Sequence, residues 1–320
     1  MLFSIIIPTY NPRQYLPRLL ESISHNECLN EIEVIISDDL SSEFFDDIIY
    51  NYSLNIKVIY NDKHQGFPRA GRQHGADVAN GKWITFIDQD DGFVDNAFDK
   101  VKQYIQDNNV TNYLISHFIV EDNDTYTIQD GTLGWTHGKF FEKVFWEQHK
   151  LCYDDVQYCE DVDLITKMEC LTYIESLPTF IMNEPIYVWN QHKDSLADLS
   201  YYINSMPDYV RSSLGVIMNY LKQNKDNEQL QFHFILTLAD IYFYLQGDAF
   251  INQDLIVKKT INIVKQLYEQ FKQLYFYTNQ DIINVVSTTL LEKYNKARAV
   301  AGEQIPFIEQ ITFKEWLNKF

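Results

Sequence analysis

Three carboxylates and a glycine close an apolar run at residues 83–92, which reads Trp-Ile-Thr-Phe-Ile-Asp-Gln-Asp-Asp-Gly. In an extended segment side chains two apart share a side, so Asp88 and Asp90 are expected to converge on one point, with Asp91 beside them. Oxygen-only ligands of this kind suit Mg²⁺ or Mn²⁺. The competing reading is structural, because Asp-Asp-Gly is also an ordinary polar turn ahead of a helix. Two further acidic pairs follow the same division. Asp38-Asp39 ends an apolar run and reads as a ligand-facing or a helix-capping turn. Glu160-Asp161 opens a helical pattern, where the charges either do chemistry or simply favour a helix N-terminus. His192 follows the last strand-like run in a loop over 190–199, from which an imidazole reaches a metal or a diphosphate or remains solvated.

The elements that must position these groups are legible in the apolar spacing. Residues 2–8 form a nearly continuous apolar run ended by Pro8, as expected of a central parallel strand covered on both faces. A helix over 14–24 carries Tyr15, Leu16, Leu19, Leu20 and Ile23 at helical spacing. Strands over 32–37 and 56–60 alternate with helices near 44–50 and 69–79, and the Trp83 strand follows. This alternation predicts an α/β domain with a mainly parallel sheet and right-handed crossovers. Ligands of such sheets sit beyond the carboxyl ends of the strands, which is where Asn11, Asp39, Gly66 and Asp88 to Asp91 fall. A helix over 97–107, strands over 113–120 and 126–128, a helix starting within 158–164 and a late strand over 180–189 complete this part.

From about residue 203 the pattern is helical, over 210–223, 229–245, 255–275, 281–299 and 313–320. The chain therefore divides into a domain over 1–200 and a helical domain over 201–320. Val257, Val264 and Phe271 recur every seven residues with Leu267 and Leu274 between them. That seam serves either a helical bundle or, as the sharper alternative, a homo-oligomer interface.

Composition excludes several classes of partner. A formal charge of −19 on 320 residues argues against holding nucleic acid or anionic lipid through phosphates unless a metal ion mediates. The four cysteines form no Cys-x-x-Cys pair and the N-terminus lacks a signal-like segment, so free thiols in a reducing cytoplasm are expected. The densest late apolar run, 230–245, is interrupted by Gln231, His233 and Asp240 and is too short to span a bilayer, leaving peripheral association at the inner membrane face as the one membrane role.

Taken together, the loops resemble those of the GT-A fold glycosyltransferases of the family-two type. Pro8-Thr9-Tyr10-Asn11 resembles the family's opening loop, and Asp38-Asp39-Leu40-Ser41 resembles its Asp-Asp-x-Ser. His64-Gln65-Gly66 and Gly71-Arg72-Gln73-His74-Gly75 resemble its Asn-x-Gly and Ala-Arg-Asn-x-Gly elements, with His64 and Gln73 where asparagine is usual. Asp88-Gln89-Asp90-Asp91 looks like its Asp-x-Asp metal motif, His137-Gly138-Lys139 like an acceptor-side element, and Glu160-Asp161 like the pair that carries the catalytic base. The likeness covers about residues 2–195 and leaves the helical tail outside.

The resemblance implies a UDP-sugar donor held by Pro8, Tyr10, Asn11, Asp39, Gly66, Arg72, Asp88 and Gln89, with Asp39 accepting from the base and Arg72 near the phosphates. It implies Mn²⁺ or Mg²⁺ nearest Asp90 and Asp91, with His192 in reach, and Asp161 as general base in an inverting displacement. The acceptor, a saccharide or polymer precursor, would meet Trp135, His137, Glu160 and Trp189, with Tyr187 a further platform or a core residue. Read from its residues alone, Arg72 is equally an exposed helix arginine and Tyr10 equally a core tyrosine. The alternative from another class is a non-catalytic carbohydrate-binding or scaffolding subunit that retains the fold.

Overall fold

The structure, a computed structural model, describes residues 1–122, 125–131, 135–153, 158–192, 199–245, 252–274 and 315–317. The chain divides into two compact units, one of Met1–Ile165 with Leu177–Ser195 and one of Thr166–Ser176 with Leu196–Phe320.

In the first unit β1 (Phe3–Thr9), β2 (Ile32–Asp38) and β4 (Trp83–Phe86) are buried along their whole length, which is why each reads as an apolar run without alternation. With β3 (Ile56–Tyr60) they pair in parallel in the order β3-β2-β1-β4. Beyond β4 the sheet is mixed. β8 (Lys139–Glu142) runs antiparallel to β4 and to β6 (Tyr113–Asp122), and β9 (Phe180–Gln191) is parallel to β6. β5 (Gly92–Phe93) closes the far edge on β9, and β7 (Thr125–Gln129) forms a hairpin with β6. The parallel strands all deliver their carboxyl ends to one edge, so Tyr10, Asp38, Asn61 and Asp88 start neighbouring loops.

The helices cover this sheet. α1 (Leu16–Ser24) buries Leu16, Leu19, Leu20 and Ile23, the stripe its spacing predicts, and α4 (Ala97–Asn108) buries Ala97, Phe98 and Val101. Both join Phe3, Ile5 and Ile7 of β1 in one core, where Phe3 and Phe98 meet edge to face at 5.2 Å. α2 (Asp46–Ile49) is a single turn, shorter than the sequence suggests. α3 (Pro68–Val78) lies against β1 and β2 through Gly71 and Gly75, where an added Cβ would come within 3.0 Å of Pro8 Cβ and 2.3 Å of Ile6 Cγ2. That close approach brings the backbone of Arg72 against the carboxyl ends of the strands. α5 (Lys143–Gln148) follows β8, and the acidic residues Glu160, Asp161 and Asp163 occupy the first turn of α6 (Glu160–Glu175).

The second unit is helical. α7 (Leu199–Val210) continues through a π-helical stretch, Arg211–Gly215, into α8 (Val216–Gln223), so helix begins earlier than the expected residue 210. α9 (Glu228–Leu245) and α10 (Asp254–Leu274) follow, with Phe234 and Phe271 stacked at 4.4 Å. Val264 and Phe271 are buried in this unit's own core, with Val257, Leu267 and Leu274 packed against it. The heptad-like spacing thus contributes Val264 and Phe271 to an intramolecular core, while Val257, Leu267 and Leu274 are only partly buried beside it. The expected helix over 281–299 lies outside the described residues, as does most of that over 313–320.

Candidate active site

Four loops meet at the carboxyl edge of the parallel strands, and they fall into two chemically different halves. In the first, Asn11 takes a left-handed backbone (φ 47°) and its Oδ1 accepts from the Ser42 amide at 2.9 Å and the Glu43 amide at 3.3 Å. Asp38 accepts from Thr9 Oγ1 at 3.1 Å and the Ser41 amide at 2.8 Å. Asp39, 7% exposed, accepts from Asn61 Nδ2 at 2.7 Å, the Gln65 amide at 2.9 Å and the Gly66 amide at 2.8 Å, with His64 Nδ1 2.9 Å away. Gly66 has φ +76°, a conformation costly for other residues, and this turn aims two successive amides at one carboxylate. Gln89 clasps the backbone of Tyr10, accepting from its N–H at 2.9 Å and donating to its carbonyl at 3.1 Å. Tyr10 itself is an exposed ring against His64 (4.4 Å) and not a core tyrosine. Pro8 is the β1 residue beneath Gly71.

The second half is a crowded acidic corner. β4 ends at Phe86, and the Asp91 amide donates to the Asp88 carbonyl at 3.1 Å, so 88–91 is a turn and not an extended strand. Strand alternation does not apply there, and the expected pairing of Asp88 with Asp90 gives way to one of Asp88 with Asp91. Asp88, Asp91 and His137 offer ligand atoms that all lie within 4.8 Å of one another. Asp90 instead pairs with His192 Nε2 at 2.7 Å, and the His192 ring stacks on Tyr15 at 5.1 Å.

Arg72 is buried, not an exposed helix arginine. Its Nη2 donates to Asp88 and its Nη1 to Glu160, each at 2.6 Å, and its face lies 5.8 Å from the Tyr153 ring. Both prongs of the guanidinium that the sequence offers to phosphates are thus spent on carboxylates of the chain. This bridge ties the turn after β4 to the first turn of α6, where Asp161 accepts from the Val162 amide at 2.9 Å.

Electrostatics follows the crowding. Burial pushes the Asp91 carboxyl well above its ordinary range, and repulsion from Asp88 and Asp90 adds to it, although Asp91 accepts from Tyr187 Oη and from the Asn190 amide at 2.8 Å. Burial and Asp88 likewise raise Asp90 against the pull of His192. Burial lifts Asp88 as well, but the charges of Arg72 and His137 outweigh it and hold this carboxyl below its ordinary range. Asp161 is pushed up to about 7, first by burial and then by Glu160, with Arg72 opposing. Burial drives His137 down to about 4, so its ring is neutral at pH 7.

Around His137 stands an aromatic wall. Its ring stacks on Trp189 at 5.5 Å and 22°, and Tyr187 (4.8 Å), Phe118 (5.5 Å) and Trp135 (5.8 Å) surround it. Trp135 is 37% exposed, whereas Tyr187 is 1% exposed and donates to Asp91, which makes it a support of the acidic corner and not a platform. The sequence reading placed His137 on the acceptor side and missed its approach to Asp88 and Asp91. It also missed the Arg72 bridge to Glu160. No spacing signal could have shown either, because the partners lie on elements far apart in the chain.

The residues present suit a divalent cation. Three carboxyls, Asp88, Asp90 and Asp91, crowd one turn and repel one another, and His137 Nδ1 is a buried nitrogen with no hydrogen-bond partner among the described residues. A cation would offset the repulsion.

A sheet whose first four strands are parallel, with an acidic turn at their carboxyl edge, is the GT-A class of nucleotide-sugar fold. Within it, residues 4–158 match the family model described as "Glycosyl transferase family 2". An uncharacterized glycosyltransferase of Haemophilus influenzae is 38% identical over 113 residues, 35% of this chain and 37% of the relative. The GalNAc(5)-diNAcBac-PP-undecaprenol beta-1,3-glucosyltransferase of Campylobacter jejuni is 31% identical over 103 residues, 31% of this chain and 33% of the relative. The chain thus matches about a third of the length of these curated relatives. The crystal structure of S. aureus TarS 1-349 superposes with a TM-score of 0.68 over 93% of this chain and 88% of its own, at 16% identity, a likeness of fold. The same fragment has been solved with UDP-GlcNAc, superposing with a TM-score of 0.56 over 85% of this chain and 92% of its own, at 17% identity. No helix among the described residues is long and apolar enough to cross a membrane.

Proposed function

We propose that the protein is a metal-dependent inverting glycosyltransferase, a hexosyl- or N-acetylhexosaminyltransferase, that moves a sugar from a UDP-sugar to a hydroxyl of a saccharide or cell-surface polymer precursor. The observation that carries this reading is Asp161, a carboxyl raised to about 7 and standing beside Glu160, which Arg72 ties to the acidic turn. A general base works best when its pKa lies near the working pH, and this one does.

In the proposed step Asp161 takes the proton of the acceptor hydroxyl as its oxygen forms a bond to the anomeric carbon. The bond from that carbon to the diphosphate oxygen breaks, and the nucleoside diphosphate leaves with the electron pair. Attack opposite the leaving group inverts the anomeric centre. A divalent cation, Mn²⁺ or Mg²⁺, supplies charge neutralisation for the departing diphosphate when bound at the acidic turn. Arg72 keeps Asp88 and Glu160 at a fixed separation and so sets donor and base in register. Asn11, Asp39, Gly66 and the exposed Tyr10 ring form the nucleotide side, while Trp135 and Trp189 face the acceptor. The UDP donor is supported by the fold shared with the TarS fragment solved with UDP-GlcNAc.

A nucleotide-release screen of UDP-sugars, with Mn²⁺ or in excess chelator and with and without saccharide acceptors, tests the proposal. Release that needs both metal and acceptor supports it. Saccharide binding with no release from any donor would mark a non-catalytic carbohydrate-binding or scaffolding subunit instead.

A further inference from the structure

We propose that His64 selects the base of the donor nucleotide, its Nε2 accepting from the imide N–H of uracil, and that Asp39 serves the turn and not the base. This inference rests on the UDP-sugar reading above and deepens it by naming the side chain that chooses the base. The resemblance gives that contact to Asp39, yet its carboxylate is already filled. Asn61 Nδ2 donates to Oδ1 at 2.7 Å, the Gln65 amide lies 2.9 Å from both oxygens, and the Gly66 amide donates to Oδ2 at 2.8 Å, with His64 Nδ1 2.9 Å from Oδ2. A carboxylate offers about four lone-pair sites, and donors of this chain occupy them.

The same contacts fix which nitrogen of His64 carries the proton. Nδ1 faces the Asp39 carbonyl at 2.9 Å as well as Oδ2, and both oxygens only accept, so Nδ1 is the N–H. Nε2 is then the lone-pair nitrogen. It is open to a ligand. The His64 side chain is 48% exposed, and Nε2 has no hydrogen-bond partner among the described residues. A Cβ added to Gly66 would meet Nε2 at 3.8 Å, so the glycine that the turn requires at φ +76° also leaves this nitrogen uncovered. The exposed Tyr10 ring packs 4.4 Å from the imidazole, and a planar base set edge-on to Nε2 shares that ring as its stacking face.

A fixed acceptor sorts the bases. Uracil presents its N3–H to Nε2, whereas cytosine presents a bare N3, so that two acceptors face each other unpaired. Asparagine, the residue usual at this place in the family that the loops resemble, carries a donor and an acceptor at its amide end and can turn to suit either base. An imidazole locked by Asp39 has no such freedom. The departure from asparagine at position 64 therefore makes the choice of uracil over cytosine stricter in this chain.

The test is nuclear magnetic resonance of the full chain carrying ¹⁵N-histidine and bound to ¹⁵N-labelled UDP in Mg²⁺, read for coupling across a hydrogen bond between uracil N3 and a histidine Nε2. Calorimetric affinities for UDP and CDP accompany it. The expected result is a coupling that is absent in His64→Asn, with UDP preferred over CDP at least about tenfold by the wild type and less than about threefold by His64→Phe. Should both variants fail to fold, the wild-type spectrum alone decides, since coupling to a histidine nitrogen supports the proposal and its absence with UDP bound overturns it. A UDP preference kept in full by His64→Phe also overturns the proposal, while leaving the UDP-sugar reading intact with the base chosen elsewhere. Failure of the wild-type chain to bind UDP with Mg²⁺ or Mn²⁺ would remove the UDP reading itself, and the role of His64 with it.

Discussion

Two acidic regions border the same sheet edge and use the same residue for opposite ends. At the end of β2 the Asp39 carboxylate is surrounded by donors, with Asn61 and the amides of Gln65 and Gly66 all pointing at it. At the end of β4, Asp88, Asp90 and Asp91 crowd together with fewer donors, and both Asp90 and Asp91 are pushed up by burial and by their neighbours' charge. A carboxylate with its full set of hydrogen bonds builds a loop. Carboxylates left short of donors are a place kept for a cation or a proton, and their cost is met by the rest of the fold.

The largest effect expected from this contrast lies in the acidic region's base. Asp161→Asn should lower transfer by about 10²- to 10⁴-fold while UDP-sugar affinity stays within a fewfold by calorimetry. Wild-type turnover by this variant would break the assignment. Next comes Asp91→Asn, which removes a buried charge without changing shape. In chelator its melting temperature should match or exceed that of the wild type, and added Mn²⁺ should no longer raise it. A clear loss of stability in chelator would mean that Asp91 is structural, and the contrast with Asp39 would fall.

The pH dependence sharpens the same comparison. Asp161 becomes a base only as pH rises through about 7, so kcat/KM should fall about tenfold per unit below that value and level off above it. The sign for stability is opposite. The folded state holds this proton more tightly than the unfolded chain, so the contribution is complete below an ordinary carboxyl pKa of about 4 and is lost as pH rises to about 7. Asp161→Asn should therefore flatten part of the stability decline over that window, measured by denaturant unfolding. The smallest effect belongs to the satisfied region. Asp39→Ala strands the Gln65 and Gly66 amides and should cost about 1–3 kcal/mol of stability, read from the same unfolding curves. No change there would show that the Asp39 network is dispensable to the fold.

Much of the architecture was open to reading along the chain. β1, β2 and β4 are buried on both faces, so their apolar runs needed no partner to be recognised, and the stripe of α1 matched its spacing. The site was legible as a set of loops, because parallel strands must carry Asn11, Asp39 and Asp88 to one edge. Its internal wiring was not. The rule that side chains two apart share a face holds only in a strand, and β4 stops before Asp88, so the turn set Asp91 beside Asp88 and sent Asp90 to His192.

The sequence by itself therefore determined which residue types stand at the sheet edge and which strands bring them there, since periodicity and burial are local properties of the chain. Only the tertiary structure decided who meets whom. Arg72 spans Asp88 and Glu160 because Gly71 and Gly75 let α3 lie close on β1, and His137 meets Asp88 and Asp91 because β8 runs antiparallel beside β4. Such pairings depend on how distant segments are laid together, and hydrophobic spacing carries no record of that.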